Sequence, residues 1–389
     1  MQEGSTLGGR LASARKRRGL SQRELAQASG LSVSLIRKIE QGEREDTRLE
    51  TARKLAAALG VPTTTLVGQA PPDEPRAASG DLWARSRQAI IQPRRRDVAE
   101  PLTERGLSDA LLAAVKLYHG NRYEQLAVVL PGLLADAEDA PPLLRSRILQ
   151  LGGSVMVQTR QREPARVSLD RSLADAERTG SVVDAASAVI TTCWLLLLEG
   201  KLDQVRHLAA EWADRIEPRF STASASDLSA WGWLLLRGSA AAIRDNQPGE
   251  AADMMRLAEA AAVAIGPERG GYHMYWTTFG PATVAMKRVE NAVVDGRPDI
   301  ALRLARDVPA RLRPTSDNRN RHLLDVSAAH LELRHYDEAF GVLYELSQDA
   351  GPWLAEQRMA QGLLGRIIAR RRTLTQGMRE LADAVRLPL

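Results

Sequence analysis

Apolar positions recur along the chain at the 3.6-residue spacing of helices, and no stretch after residue 106 alternates as a strand does. The first 68 residues divide into five short helices. Leu7 to Arg18 carries Leu11, Ala14 and Arg15 at helical spacing and stops at Gly19. Ser21-Gln22-Arg23-Glu24 has the form of a capping box, which opens a second helix that breaks at Gly30. Ser32 caps a third, Val33 to Gln41, closed by Gly42. Thr47-Arg48-Leu49-Glu50 predicts a second capping box and a helix to Leu59, and Pro62 suits the first turn of a fifth helix. Leu11, Leu25, Ala26, Ile36, Ile39, Leu55 and Leu59 supply one core.

From residue 106 onward, amphipathic helical segments alternate with short polar breaks, and the pattern repeats. The second helix of each unit begins after a turn at 120–126, 160–169, 200–208, 246–255, 296–304 and 335–343. Anchored on Leu126, Ala165, Val205, Ala251, Ala301 and Ala339, the spacings are 39, 40, 46, 50 and 38 residues. This predicts stacked helix pairs, similar to tetratricopeptide repeats with longer loops. The segments from Trp353 through Ile368 and Met378 to Val385 would cap the stack. In such solenoids the first helix of each pair lines a concave surface. The fold expected is all-α: residues 1–68 a five-helix domain, 69–105 a linker, and 106–389 a helical-repeat domain. Within the linker, QAPPDEPRAASG is a flexible connector, while Leu82 to Ile91 predicts one helix with Trp83 docking on either domain. The run Arg94-Arg95-Arg96 is either a further DNA contact or a solvated charge run.

Charge separates the parts further. Residues 1–68 hold 12 Lys/Arg against 7 Asp/Glu, while the rest holds 41 of each, so the whole net charge of +5 sits at the N-terminus. A basic head on a neutral body points to a polyanion partner. Arginine outnumbers lysine 47 to 6, which with abundant alanine marks a GC-rich genome. The single cysteine, Cys193, excludes an internal disulfide and a cysteine-based zinc site, and His322, His330 and His335 form no recognisable metal set. No cofactor is expected. No apolar run reaches membrane-spanning length and no apolar signal core opens the chain, so the expected location is the cytoplasm, on the nucleoid when bound to DNA.

Two helices joined by a Gly-containing turn form a helix-turn-helix unit, whose second helix enters the DNA major groove. The run LSQRELAQASGLSVSLIRKIEQGER resembles the xenobiotic-response-element (Cro/C1-type) class of helix-turn-helix shared by phage repressors and bacterial regulators. Gln22, Leu25, Ala26, Gly30, Ile36, Ile39, Glu40 and Gly42 carry the resemblance, which covers residues 7–67. It implies that Gln22 and Arg23 contact phosphate, that Val33, Ser34 and Lys38 lie toward the bases, that Ser32 contacts DNA, and that Arg37 reaches base or phosphate. Arg44 and Thr47 would grip the backbone, and Arg15 with Glu40 would form a buried salt bridge between helices 1 and 3. Val33 and Ser34 are short readers, which moves weight to Lys38, Arg37 and DNA shape.

Trp194, Trp231, Trp233, Tyr272, Tyr275, Trp276 and Phe279 cluster in the neutral body, although aromatics make up only 4% of the chain. Polar His273, Lys287, Arg288 and Asn291 accompany them along one expected helix, YHMYWTTFGPATVAMKRVENAVV. Aromatic walls with a few polar groups describe a ligand pocket, and the same rings equally describe solenoid core. Trp194, Trp231, Tyr272, His273, Trp276, Lys287 and Asn291 are the candidate effector contacts. A helix-turn-helix followed by such repeats resembles quorum-sensing regulators of the Rgg, PlcR and PrgX type. RYEQLAVVLPGLLADAE and TTFGPATVAMKRV look like regulators of actinomycetes, especially streptomycetes. The resemblance implies a homodimeric transcription factor on a palindromic operator, controlled by a small molecule or peptide. A DNA-tethered adaptor with a protein partner stays open as an alternative. No P-loop, GxSxG, HExxH or paired-cysteine motif supports an enzyme.

Overall fold

Side-chain caps and left-handed turn residues set the helix boundaries, so the element order follows from local chemistry. The structure, a computed structural model, describes residues 6–43, 47, 49–67, 81–93, 103–266, 278–309 and 316–388. All regular structure among them is helical, as expected.

The N-terminal domain holds α1 (Leu7–Arg17), α2 (Gln22–Ser29), α3 (Val33–Glu40), α4 (Leu49–Leu59) and α5 (Thr63–Val67). The capping box of α2 forms in both directions: the Glu24 amide donates to Ser21 Oγ at 3.2 Å, and the Ser21 amide to Glu24 Oε2 at 2.7 Å. Gly30 ends the helix at φ 68°, where a Cβ would be strained. The second expected box does not form. The Thr47 hydroxyl has no hydrogen-bond partner among the described residues, and Glu50 instead pairs with Lys54 one turn on, at 3.0 Å. Leu11, Leu25, Ile36, Ile39, Leu55, Leu59 and Leu66 bring all five helices into one buried core. Each such side chain contributes about 2 kcal/mol of burial. Gly8 lets α1 approach α3: a Cβ there would lie 2.2 Å from the Ile39 carbonyl oxygen.

A separate helix, α6 (Ala84–Ile91), packs on the body through buried Ile90, and Trp83 meets Tyr123 edge to face at 6.1 Å. Among the described residues the body is then seven consecutive helix pairs. They are α7 (Glu104–His119) with α8 (Tyr123–Asp136), α9 (Pro142–Gln158) with α10 (Arg162–Arg178), and α11 (Val182–Leu198) with α12 (Leu202–Arg215). Next come α13 (Ala225–Arg244) with α14 (Pro248–Ile265), α15 (Pro281–Val294) with α16 (Pro298–Arg306), and α17 (Ser316–Glu332) with α18 (Tyr336–Ala355). The last pair is α19 (Arg358–Ile368) with α20 (Gln376–Ala384). Each first helix packs on its own partner, and α9, α11, α13, α15, α17 and α19 also pack in succession.

The turn inside each of the first six pairs has one geometry. A left-handed residue ends the first helix: Asn121, Arg160, Gly200, Asn246, Gly296 or Arg334. The next amide reaches back five residues to a carbonyl of that helix, as in Gln161 to Met156 (2.7 Å) and His335 to His330 (2.9 Å), the Schellman arrangement. The carbonyl of that same residue then accepts the first amide of the second helix, which belongs to Leu126, Ala165, Val205, Ala251, Ala301 or Ala339. All six anchors are buried, because the turn drives them between the two helices.

Candidate functional site

α3 buries Ile36 and Ile39 against the core and turns Ser34, Arg37 and Lys38 outward. These three stand at i, i+3 and i+4, so they form one continuous face. Ser32 is exposed, and its Oγ accepts from the Leu35 amide at 3.2 Å; the hydroxyl proton stays available to an acceptor. Arg23 is exposed in the first turn of α2. Val33 is half-buried and packs against the core, so less of it is presented outward than the sequence predicts. Thr47 is also half-buried, and Arg44 lies outside the described residues.

Beneath that face, Glu40 accepts from Arg15 Nε at 2.6 Å, Arg15 Nη2 at 2.8 Å and Gln22 Nε2 at 2.8 Å. Arg15 Nη1 also holds the Leu20 carbonyl at 2.8 Å. One carboxylate therefore ties α1, the following turn and the start of α2 to the end of α3. Burial opposes its charge, but the Arg15 and Gln22 hydrogen bonds hold its pKa below the ordinary value. The bond to Glu40 raises Arg15. Gln22, expected at phosphate, spends one amide proton on this brace.

In the body, a cavity of about 260 Å³ is walled by α7, α9, α11, α13, α15, α17 and the end of α18. Every wall but the last is the first helix of a pair. Trp194, Trp233 and Trp353 provide flat surfaces, and Arg237, Lys287 and Glu290 provide charge. Of the expected effector contacts, Trp194 and Lys287 are in the wall. Trp231 is not: it is buried, edge to face with Phe220 at 5.8 Å. Asn291 is not either, and its amide donates to Ser239 Oγ at 2.8 Å. Tyr272, His273 and Trp276 lie outside the described residues, as does Arg94-Arg95-Arg96. The helix expected from Tyr272 onward begins at Pro281 instead, since a proline favours the first turn.

Glu290 accepts Arg244 Nη2 at 2.5 Å and Lys287 Nζ at 2.7 Å. Burial opposes its charge, yet Lys287, Arg244 and Arg321 hold it well below the usual carboxylate range. Arg237 stacks over Trp233 at 5.2 Å and Trp194 at 5.8 Å, and Lys287 lies 6.0 Å from the Trp233 ring. Sequence reasoning missed Trp233 as a wall residue, together with Arg237, Arg244 and Glu290. For Arg237 the available signal was a charge in α13 one turn beyond Trp233.

Arg244 also marks where the N-terminal domain meets the body. Thr63 Oγ1 donates to the Arg244 carbonyl at 2.8 Å, and the Thr64 amide to Asp245 Oδ1 at 2.9 Å. Thr63 and Asp245 are both fully buried, and Asp245 Oδ2 takes Arg206 Nη1 at 2.8 Å. The turn between α13 and α14 is thus clasped by α5 from one side and by Arg206 from the other.

The five-helix fold with its exposed α3 face defines a helix-turn-helix DNA-binding domain. Residues 11–66 match the family model described as Helix-turn-helix, which supports DNA binding by this domain. The match covers the N-terminal domain alone. No curated protein matches the chain, and no solved structure matches it. Among the described residues, no helix is long and apolar enough to cross a membrane.

Proposed function

We propose that the protein is a sequence-specific, homodimeric regulator whose DNA binding is controlled by a molecule held in the cavity of the helical-repeat body. In this reading Ser34, Arg37 and Lys38 read bases, while Arg23 and Ser32, with Arg44 and Thr47, hold phosphates. The body is a tetratricopeptide-like solenoid and the site of action is cytoplasmic DNA. One helix-turn-helix reads a half-site, and two on a palindrome gain both affinity and spacing, which is the argument for a homodimer.

The observation that carries effector control is Arg244. Its side chain is a cavity wall group bonded to Glu290, and its carbonyl is the acceptor for Thr63 of the DNA-binding domain. A ligand that favours one arrangement of Arg244 and Glu290 has a differential affinity for two placements of α5, which is what control of DNA binding requires. The cavity favours an effector over the adaptor reading, because aromatic faces and charged side chains from six first helices converge on one small concave site.

Selection of bound DNA from a random pool tests the core of this reading. The expected outcome is one enriched sequence with two inverted half-sites about 10 base pairs apart, and binding that falls steeply with salt. Enrichment of no sequence over random DNA would overturn it, and enrichment of a lone half-site would remove the dimer.

A further inference from the structure

We propose that the cavity is a site for a small organic anion, an acid group carried on a flat apolar body, with Arg237 as its principal anchor. This deepens the effector reading and rests on it only for the regulatory consequence.

The charges around the cavity do not balance. Its walls carry Arg160, Arg237, Arg244, Lys287 and Arg321 against Glu290 and Asp317. Glu290 is already engaged by Arg244 and Lys287 at 2.5 and 2.7 Å, and Arg321 faces Asp325 at 3.6 Å. Arg237 has no carboxylate or hydrogen-bond partner among the described residues, and its Nε is buried without an acceptor. Two tryptophan faces are its nearest interactions, and ring faces leave the N–H groups unsatisfied. Buried polar groups otherwise find partners, so an unpartnered guanidinium on a cavity wall marks the place of an acceptor that binds there.

The neighbouring groups agree in chemistry. Trp353 Nε1 is a second buried donor without an acceptor on the wall, and Gln150 Oε1 is an acceptor without a donor. Gln150 itself is held in place by its Nε2, bonded to Thr191 Oγ1 at 2.7 Å and the Ser187 carbonyl at 3.2 Å. An acid with one further donor has the chemistry to suit Arg237 Nε, Trp353 Nε1 and Gln150 Oε1, three of the buried polar atoms of the wall. The indoles of Trp194 and Trp233 offer apolar surface beside the guanidinium for the flat body of such a ligand. A cationic ligand, which aromatic walls alone would also suit, is excluded by the excess of wall cations. The volume suits a small molecule and not a folded segment.

The test uses the intact protein and two fluorescent probes with the same rings, 1-anilinonaphthalene-8-sulfonate and uncharged N-phenyl-1-naphthylamine. The sulfonate is expected to bind at least about tenfold more tightly. R237M should abolish that difference, and R237K should retain most of it. Equal affinities in the unaltered protein, or a difference that R237M leaves intact, overturns the proposal. Should R237M lose its helical circular dichroism, W353F takes its place; it is expected to narrow the difference several-fold, and no narrowing overturns the proposal. Adding each probe to the protein on its selected DNA separates the two claims. A sulfonate that binds through Arg237 without changing DNA affinity leaves the anion site standing and removes effector control. A neutral probe that alone changes DNA affinity supports effector control and removes the anion site.

Discussion

Thr63 and Arg244 are 181 residues apart in sequence, yet the threonine hydroxyl donates to the arginine carbonyl at 2.8 Å. The same arginine sends its guanidinium to Glu290 at the cavity wall. Thr63 is fully buried, so its hydroxyl has no exposed surface from which to find water instead. T63V keeps the shape of the side chain and removes the donor. It should cost about 1 kcal/mol and loosen the docking of α5, read as faster amide exchange in residues 61–67. Unchanged exchange there would show that the remaining bonds, Thr64 amide to Asp245 among them, maintain the clasp without it.

Lys38 and Arg23 occupy different surfaces and should fail differently. K38A should weaken the selected site by about tenfold or more, with a smaller effect on random DNA, as expected for a base contact. R23A should weaken both alike and lower the salt dependence by about one phosphate contact. Competition binding at several salt concentrations distinguishes them, and equal loss for K38A on both DNAs would assign it to the backbone.

Glu40 holds three donors from two chain segments. E40A leaves Arg15 buried without its anion, which should cost about 3 kcal/mol of stability in the N-terminal domain. α3 would then lose its fixed relation to α2, so DNA binding should fall although no DNA-facing residue is changed. A urea midpoint equal to that of the unaltered protein would show the brace to be dispensable.

His322 is buried in α17, and burial, with Arg319 and Lys287 adding to it, pushes its imidazole down to about 4. The unfolded chain binds the proton near 6.5, so the contribution to stability is complete above pH 6.5. It is lost as pH falls toward 4, amounting to roughly 3 kcal/mol. Asp325, raised to about 6 by burial, acts in the opposite sense between its unfolded pKa and pH 6, so the comparison must be with a variant. H322N should flatten the fall in urea midpoint between pH 6.5 and 4; an unchanged slope would place the acid sensitivity elsewhere.

Arg334 is exposed and held at φ 64° in the turn before α18. That conformation costs a side-chain-bearing residue about 1 kcal/mol relative to glycine. R334G should raise stability by about that amount in a urea titration, since the turn geometry is retained. A loss of stability would show that the arginine side chain holds something the backbone does not.

The sequence alone determined what local hydrogen bonding decides. Ser21 and Glu24 are three residues apart, and their box formed as read. The six repeat anchors were legible because each stands at the same place after a Schellman turn, where the backbone forces it inward. The match of Leu25, Ile36 and Ile39 to one core was likewise visible, as was the Arg15–Glu40 pair through its family resemblance. Thr47 failed as a cap because tetrad spelling does not ensure that the helix begins one residue later; α4 starts at Leu49.

What only the tertiary structure decided was which side of each body helix faces the cavity. Trp231 and Trp233 are two residues apart, about 200° around the helix, so one can be core while the other is wall. Composition in that segment is the same for both. Trp231 packs edge to face on Phe220, while Trp233 meets the cavity and donates from Nε1 to the Thr278 carbonyl at 3.0 Å. The unpaired Arg237 was equally hidden, because its lack of a partner is a property of six helices brought together and of no single one. The link from Arg244 to Thr63 has no local signal at all, since it exists only when two domains far apart in the chain come into contact.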